Sequence, residues 1–222
     1  MTLSEGFYAA GYLVGLGAFL GMAQRRRMLT DGVLGLMAVG LLGGMVFANL
    51  TQRLLGGTAG KTVLGAIAGG YLCVMVCKRL WGIRRPLGDL FAVAISAGEA
   101  VGRWGCFFGG CCYGRVCHLP WAVWQEQAWR HPTQVYLSLA NLAILGILLW
   151  QERRNPQENT LFFLQGLLYC AARFTIEFWR DNTPAALGLS LAQWACLLGG
   201  AFFAARLYSL TQSVRRTYEA LS

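Results

Sequence analysis

Seven apolar runs dominate the chain, and most of them stop at a cluster of basic residues. They are Gly6 to Ala23, Val33 to Leu50, Thr62 to Cys77, Leu90 to Phe108, Thr133 to Trp150, Leu161 to Trp179 and Leu187 to Tyr208. Each is close to the ~20 residues that carry a helix across a ~30 Å hydrocarbon core. In that medium no water satisfies the peptide groups, so such runs fold as helices. The expected fold is therefore all-α: a polytopic membrane protein of about seven transmembrane helices. Only 13% of the 222 residues are charged, and the mean hydropathy is +0.47. A soluble domain carries about a quarter charged residues. Among the 29 glycines, Gly11 with Gly15 and Gly17 with Gly21 give the small-xxx-small spacing that lets membrane helices approach closely.

The basic clusters set the orientation. Arg25, Arg26 and Arg27 follow the first run rather than precede it, which is the reverse of a secretory signal peptide. The first run is thus expected to remain as a helix with its N-terminus outside. Alternating sides from there puts Arg25–Arg27, Lys78, Arg79, Arg84, Arg85, Arg153, Arg154, Arg206, Arg215 and Arg216 on the cytoplasmic side, together with the C-terminus. The net charge of +9 then reflects topology, and no nucleic-acid partner is expected. With no repeat, linker or low-complexity segment, residues 1–222 read as a single transmembrane domain. Residues 109–132 form its longest connection, an outer-side interfacial arm carrying Trp121, Trp124 and Trp129. The glycine-rich turn Leu55 to Thr62 imitates a phosphate loop. Leu55 stands where that pattern needs its first glycine, so it reads as a turn and packing element.

Seven basic residues break the positive-inside pattern, Arg53, Lys61, Arg103, Arg115, Arg130, Arg173 and Arg180, and the last five fall between residues 103 and 180. Glu99 and Arg103 are four apart, as are Arg173 and Glu177, with Arg180 three further on. On a helix these spacings place the partners on one face. Charges at membrane depth are costly and mark pairing or function. They fit two structural ion pairs. They equally fit a cage in which carboxylates orient arginine forks toward a phosphate. The glycines of Gly102-Arg103-Trp104-Gly105-Cys106-Phe107-Phe108-Gly109-Gly110-Cys111-Cys112-Tyr113-Gly114-Arg115 would let the backbone bend and approach a ligand.

That stretch, G-R-x-G-x-F-x-x-G-x-x-x-G-R, resembles the signature of the prolipoprotein diacylglyceryl transferases, bacterial inner-membrane enzymes that lipidate a cysteine. Arg130 to Tyr136 resembles the family's R-H-P-S-Q-L-Y. Tyr169 to Arg180 resembles its Y-x-x-x-R-x-x-x-E-x-x-R helix, and Leu189 to Trp194 its L-S-M-G-Q-W. The resemblance runs in order over roughly residues 60 to 200. It implies catalytic roles for Arg103, Arg173, Glu177 and His131. Glu99, Gly102, Gly105, Gly114, Gln134, Tyr136 and Arg180 would then contact substrate. The chain departs from the family at Cys106, Gly109 and Cys111, where asparagine, asparagine and glutamate are typical. Leu64 replaces an important histidine, with Lys61 one turn earlier.

His131, before a proline at a loop-to-helix junction, fits a turn-holding role or proton transfer. Gln134 and Tyr136 would lie near it. Of the eight cysteines, Cys73, Cys77, Cys170 and Cys196 fall within apolar runs and read as small core residues. Cys106, Cys111, Cys112 and Cys117, beside His118, fit disulfides in an oxidising compartment or plain packing. A metal site is disfavoured because the spacing matches no C-x-x-C pair. No metal and no cofactor are expected. The resemblance implies diacylglyceryl transfer from phosphatidylglycerol to a thiol such as a prolipoprotein lipobox cysteine, in a multi-pass protein of the bacterial inner membrane. The alternatives are a paralogue with another acceptor, a non-catalytic binder or transporter of anionic lipid, and a membrane thiol–disulfide protein.

Overall fold

The computed structural model describes residues 2–54, 63–154 and 156–219. Among them run seven helices and one hairpin: α1 Leu3–Arg25, α2 Asp31–Leu54, α3 Val63–Leu80, α4 Gly88–Phe108, β1 Val123–Gln125, β2 Ala128–Arg130, α5 Thr133–Glu152, α6 Thr160–Glu177 and α7 Leu191–Glu219. The phosphate-loop imitation, with Lys61, lies outside the described residues, as does the side chain of Leu64. Helices α1, α2 and α5 are long and apolar enough to cross a membrane. Of the five charged groups at those spacings, Glu99 and Arg103 lie in α4, Arg173 and Glu177 in α6, and Arg180 just beyond α6.

Two compact units are present, residues 23–85 and residues 1–22 with 86–222. In the first, α2 packs on α3 through glycine. A Cβ on Gly70 would sit 2.9 Å from the Gly40 carbonyl, and one on Gly43 2.6 Å from Cys73 Sγ. In the second, α1 packs on α4 through Gly11 and Gly15. A Cβ on Gly11 would meet the Gly98 carbonyl at 2.9 Å, and one on Gly15 the Ala94 carbonyl at 3.1 Å. Among the described residues Gly17 and Gly21 face nothing within 4 Å, so the contact seen there uses the first of the two small-residue pairs. Phe19 then stacks edge-on against Phe91, with ring centroids 5.0 Å apart.

Helices α4 and α6 are registered by a buried carboxylate. Asp89, 2% exposed, accepts the backbone N–H groups of Asn159 and Phe162, each at 3.0 Å. Those are donors that the start of α6 leaves without an intrahelical partner, and an anion there is favoured by the helix dipole.

Two expected boundaries need correction. Helix α6 ends at Glu177, so Arg180 does not extend the Arg173–Glu177 face of the helix. Bonds from the N–H groups of Phe178, Trp179 and Arg180 to carbonyls three residues back tighten the end instead. Likewise α7 begins at Leu191 rather than Leu187 and runs on to Glu219. Leu187 and Gly188 have φ of 51° and 72°, a left-handed turn no helix contains. Ser190 starts the helix with a reciprocal cap. Its hydroxyl accepts the Gln193 N–H at 3.2 Å, and its own N–H donates to Gln193 Oε1 at 2.9 Å.

The connection 109–132 is not purely irregular. β1 and β2 pair antiparallel, with Trp124 opposite Trp129 and their rings edge-on at 5.7 Å. Glu126 and Gln127 form the two-residue turn, both with positive φ (47° and 59°). That is the mirror-image turn whose twist suits a hairpin, built here without glycine.

Candidate active site

Arg103, on α4, is almost wholly buried. Its Nε and Nη2 both donate to Glu99 Oε2, at 2.8 and 2.6 Å, and Nη2 also reaches Tyr169 Oη at 3.3 Å. Arg173, on α6, pairs with Glu177 through Nη1. Oε2 of Glu177 meets Arg173 as an ion pair without a hydrogen bond, while Oε1 accepts from Asn182 Nδ2 and, at 3.0 Å, from Ser190 Oγ. Both four-residue spacings therefore form ion pairs, as helical geometry dictates. Nη1 of Arg103, and Nε and Nη2 of Arg173, have no partner among the described residues.

Arg180 arrives by another route. The segment 113–115 zips against 179–181: Arg115 N–H donates to the Trp179 carbonyl at 2.8 Å, and Arg115 Nε to the Arg180 carbonyl at 3.2 Å. Gly114 bridges Arg180 in this pairing. The Arg180 guanidinium itself has no partner among the described residues, and it lies within electrostatic range of Arg173 and Cys112. Arg103 is in range of both as well. Three like charges thus lie within electrostatic reach of one another, two of them paired with carboxylates, an arrangement that favours a bound anion.

The other expected site residues divide. Gly105 and Gly114, which the motif would place against a ligand, face protein. A Cβ on Gly105 would lie 2.8 Å from the Tyr8 ring, and one on Gly114 2.6 Å from the His131 and Trp179 carbonyls. Gly102 lies against Gly11 of α1. His131 Nδ1 is 3.2 Å from Tyr136 Oη, which also accepts from Trp121 Nε1 at 2.8 Å. Gln134, 1% exposed, donates from Nε2 to the Cys111 carbonyl at 2.8 Å and to Gln125 Oε1 at 3.2 Å. Its Oε1 is a buried acceptor with no hydrogen-bond partner. Arg130 is a strut. Nη1 pairs with Asp181 at 2.7 Å, Nε bonds the Gln125 carbonyl at 3.1 Å, and the guanidinium lies 4.6 Å from the Tyr113 ring centroid.

Tyr8, Asp89, Asn182 and Ser190 were not singled out by sequence reasoning. Ser190 alone had a legible signal, the S-x-x-Q cap ahead of an apolar run.

All eight cysteines are free. Cys106, Cys111 and Cys112 bring their sulfurs within 4.8 Å of one another. Hydrogen bonds with Cys106 and Cys111, and then the charges of Arg180 and Arg103, hold the Cys112 thiol far below the ordinary thiol range. Hydrogen bonds with Cys106 and then Cys112 push the Cys111 thiol up.

The fold and the cluster define a helical protein with helices of membrane-spanning length and a cluster of largely buried arginines. Comparison with known proteins gives the class a family. The profile of the prolipoprotein diacylglyceryl transferases matches residues 6–208, and the chain belongs to that family. Among its relatives is a phosphatidylglycerol–prolipoprotein diacylglyceryl transferase of Clostridium tetani, 28% identical, with 86% of this chain aligned to 88% of that protein. The enzyme of the same name from Acaryochloris marina is 33% identical over 72% of this chain and 65% of its own length. A third, from Streptomyces coelicolor, is 29% identical over 94% of this chain and 69% of its own.

Proposed function

We propose that the chain is a transferase moving the diacylglyceryl group of phosphatidylglycerol to a thiol, such as the lipobox cysteine of a prolipoprotein. The observation that carries this reading is the convergence of Arg103, Arg173 and Arg180, each with N–H donors left unused. A lipid phosphodiester becomes a dianionic glycerol phosphate when the glyceryl C–O bond breaks. Preorganised donors aimed at that growing charge are worth a factor of about 100–1000 apiece. Glu99 and Glu177 hold two of the forks in place. Gln134 Oε1 supplies a buried acceptor for a head-group hydroxyl. His131 and Tyr136 form a hydrogen-bonded pair that can position substrate or carry a proton.

In this reading the protein is a multi-pass component of the bacterial inner membrane. All seven helices span, the N-terminus is outside, the C-terminus is cytoplasmic, and 109–132 is an interfacial arm on the outer face. Reporter fusions at Arg84 and Arg154 should both register as cytoplasmic, and an external signal from either rejects that topology. The function is tested with purified protein, acyl-labelled phosphatidylglycerol and a synthetic lipobox peptide. The expected products are a peptide heavier by one diacylglyceryl group and free glycerol phosphate. Binding of the lipid without either product would leave a lipid-binding protein and overturn the enzymatic reading.

A further inference from the structure

We propose that Cys106, Cys111 and Cys112 form a three-thiolate site for Zn²⁺, whose fourth position is open to the acceptor thiol. The site itself rests on the sulfur geometry; its role rests on the thiol-lipidation reading above.

The three sulfurs come from two elements, the last turn of α4 and the loop beyond it. That is why the sequence spacing gave no zinc pattern. Adjacent residues of an extended chain point to opposite sides, yet Cys111 and Cys112 turn theirs to the same cluster. The backbone permits it because Gly110 and Cys112 have φ of 65° and 64°, the latter an uncommon conformation for a side-chain-bearing residue. The turn is held from outside. Thr133 Oγ1 donates to the Cys112 carbonyl at 2.7 Å, and Gln134 Nε2 to the Cys111 carbonyl at 2.8 Å. Tyr8 Oη, from α1, donates to Cys106 Sγ at 3.3 Å.

A tetrahedral zinc with Zn–S bonds of about 2.3 Å needs sulfurs about 3.8 Å apart. All three already lie within 4.8 Å, so the cluster can close on an ion with shifts under about 1 Å. Three protein ligands with one open position is the arrangement of catalytic rather than structural zinc. Cys111 is exposed, so an ion and a substrate can reach the site from outside.

The role follows from the chemistry of the acceptor. A thiol at neutral pH is mostly protonated and a weak nucleophile. Bound to zinc it loses its proton to solvent and is held as thiolate. Its sulfur lone pair then attacks the glyceryl carbon; the S–C bond forms as the C–O bond breaks, and the electron pair leaves on glycerol phosphate. Zinc keeps its oxidation state throughout. The site would supply thiol activation in a chain where Leu64 stands in place of the histidine implied by the family resemblance.

The test is Zn²⁺ titration of the reduced full-length protein in detergent, with metal content measured after desalting. Co²⁺ substitution reads the thiolate-to-metal charge-transfer band. One tightly held Zn²⁺ per chain is expected. Cys106→Ser, Cys111→Ser and Cys112→Ser should each weaken binding by more than about tenfold, while Cys117→Ser leaves it unchanged. Adding a lipobox peptide to the Co²⁺ form should shift its spectrum, and the same peptide with serine for its cysteine should not. No stoichiometric Zn²⁺, unchanged binding in Cys111→Ser, or binding of Cu⁺ alone would overturn the site. So would a disulfide among the three in protein isolated without oxidant. Zinc bound as expected with no lipid transfer would uphold the site and reject the enzymatic reading. Full transfer by metal-free protein would uphold that reading and reject the role of zinc.

Discussion

Glu99–Arg103 and Arg173–Glu177 have the same spacing in opposite order, and their surroundings differ sharply. The Glu99 side chain is 27% exposed and uses one oxygen, Oε2, for its arginine. Glu177 is 1% exposed and divides its two oxygens among Arg173, Asn182 and Ser190. The first pair is an arginine steadied by a carboxylate that water can also reach. The second is a carboxylate built into the protein at three points, with the arginine as one of them. Identical spacing on a helix therefore yields one adjustable fork and one fixed fork.

The arginines themselves should show the largest effects. Arg103→Lys and Arg173→Lys each replace a planar fork with a point charge. Each should lower kcat/KM for phosphatidylglycerol by roughly 100-fold or more while the protein still inserts and folds. Near-normal turnover in both would end the idea that these groups hold phosphate. Glu177→Gln comes next. Its amide must present a donor either to Arg173 or to the Asn182 and Ser190 donors, so one good contact becomes a clash. Activity should fall about tenfold, with a loss of stability of about 1–3 kcal/mol visible as a lower Tm.

Glu99→Gln is expected to be milder. The amide oxygen can keep accepting from Arg103 while its NH₂ turns toward the half-exposed side, and pairs that water reaches are worth at most about 1 kcal/mol. A threefold loss of activity or less, about 0.65 kcal/mol or less, with little change in Tm, would sharpen the contrast; equal losses at both glutamates would break it. Smallest of all should be Asn182→Ala, read by Tm. It removes one of three partners from Glu177 and leaves the Arg173 pair and the Ser190 bond. About 1 kcal/mol of stability should go, with Arg173 still oriented and turnover within about twofold.

The helices and both ion pairs were legible because each obeys one local rule: long apolar runs for the helices, i to i+4 geometry for the pairs. Arg180 was harder. Periodicity carried it onto the face of α6, whereas the helix closes at Glu177 and the residue is delivered by pairing with Gly114. Only long-range backbone bonds decide that. The cysteine cluster was hidden for the same reason, since Cys112 reaches it through a left-handed residue that no spacing rule encodes. Gly105 and Gly114 read as ligand-facing from the motif, but their missing Cβ atoms make room for Tyr8 and for the carbonyls of His131 and Trp179. Small residues beside a site serve the packing of its walls as readily as its ligand. The start of α7 was misplaced by four residues because hydrophobicity continues through Leu187 and Leu189, while the cap at Ser190 decides the boundary.

That cap has a consequence for biogenesis. Ser190 both begins α7 and donates to Glu177, so a helix made after α6 completes the surroundings of a residue on α6. A chain stalled before residue 190 holds all three arginines, yet its Glu177 lacks the hydroxyl that helps fix it. Full anchoring of Glu177 therefore waits for the cap of α7 to be made, and a product cut before residue 190 lacks one of the bonds that hold this carboxylate.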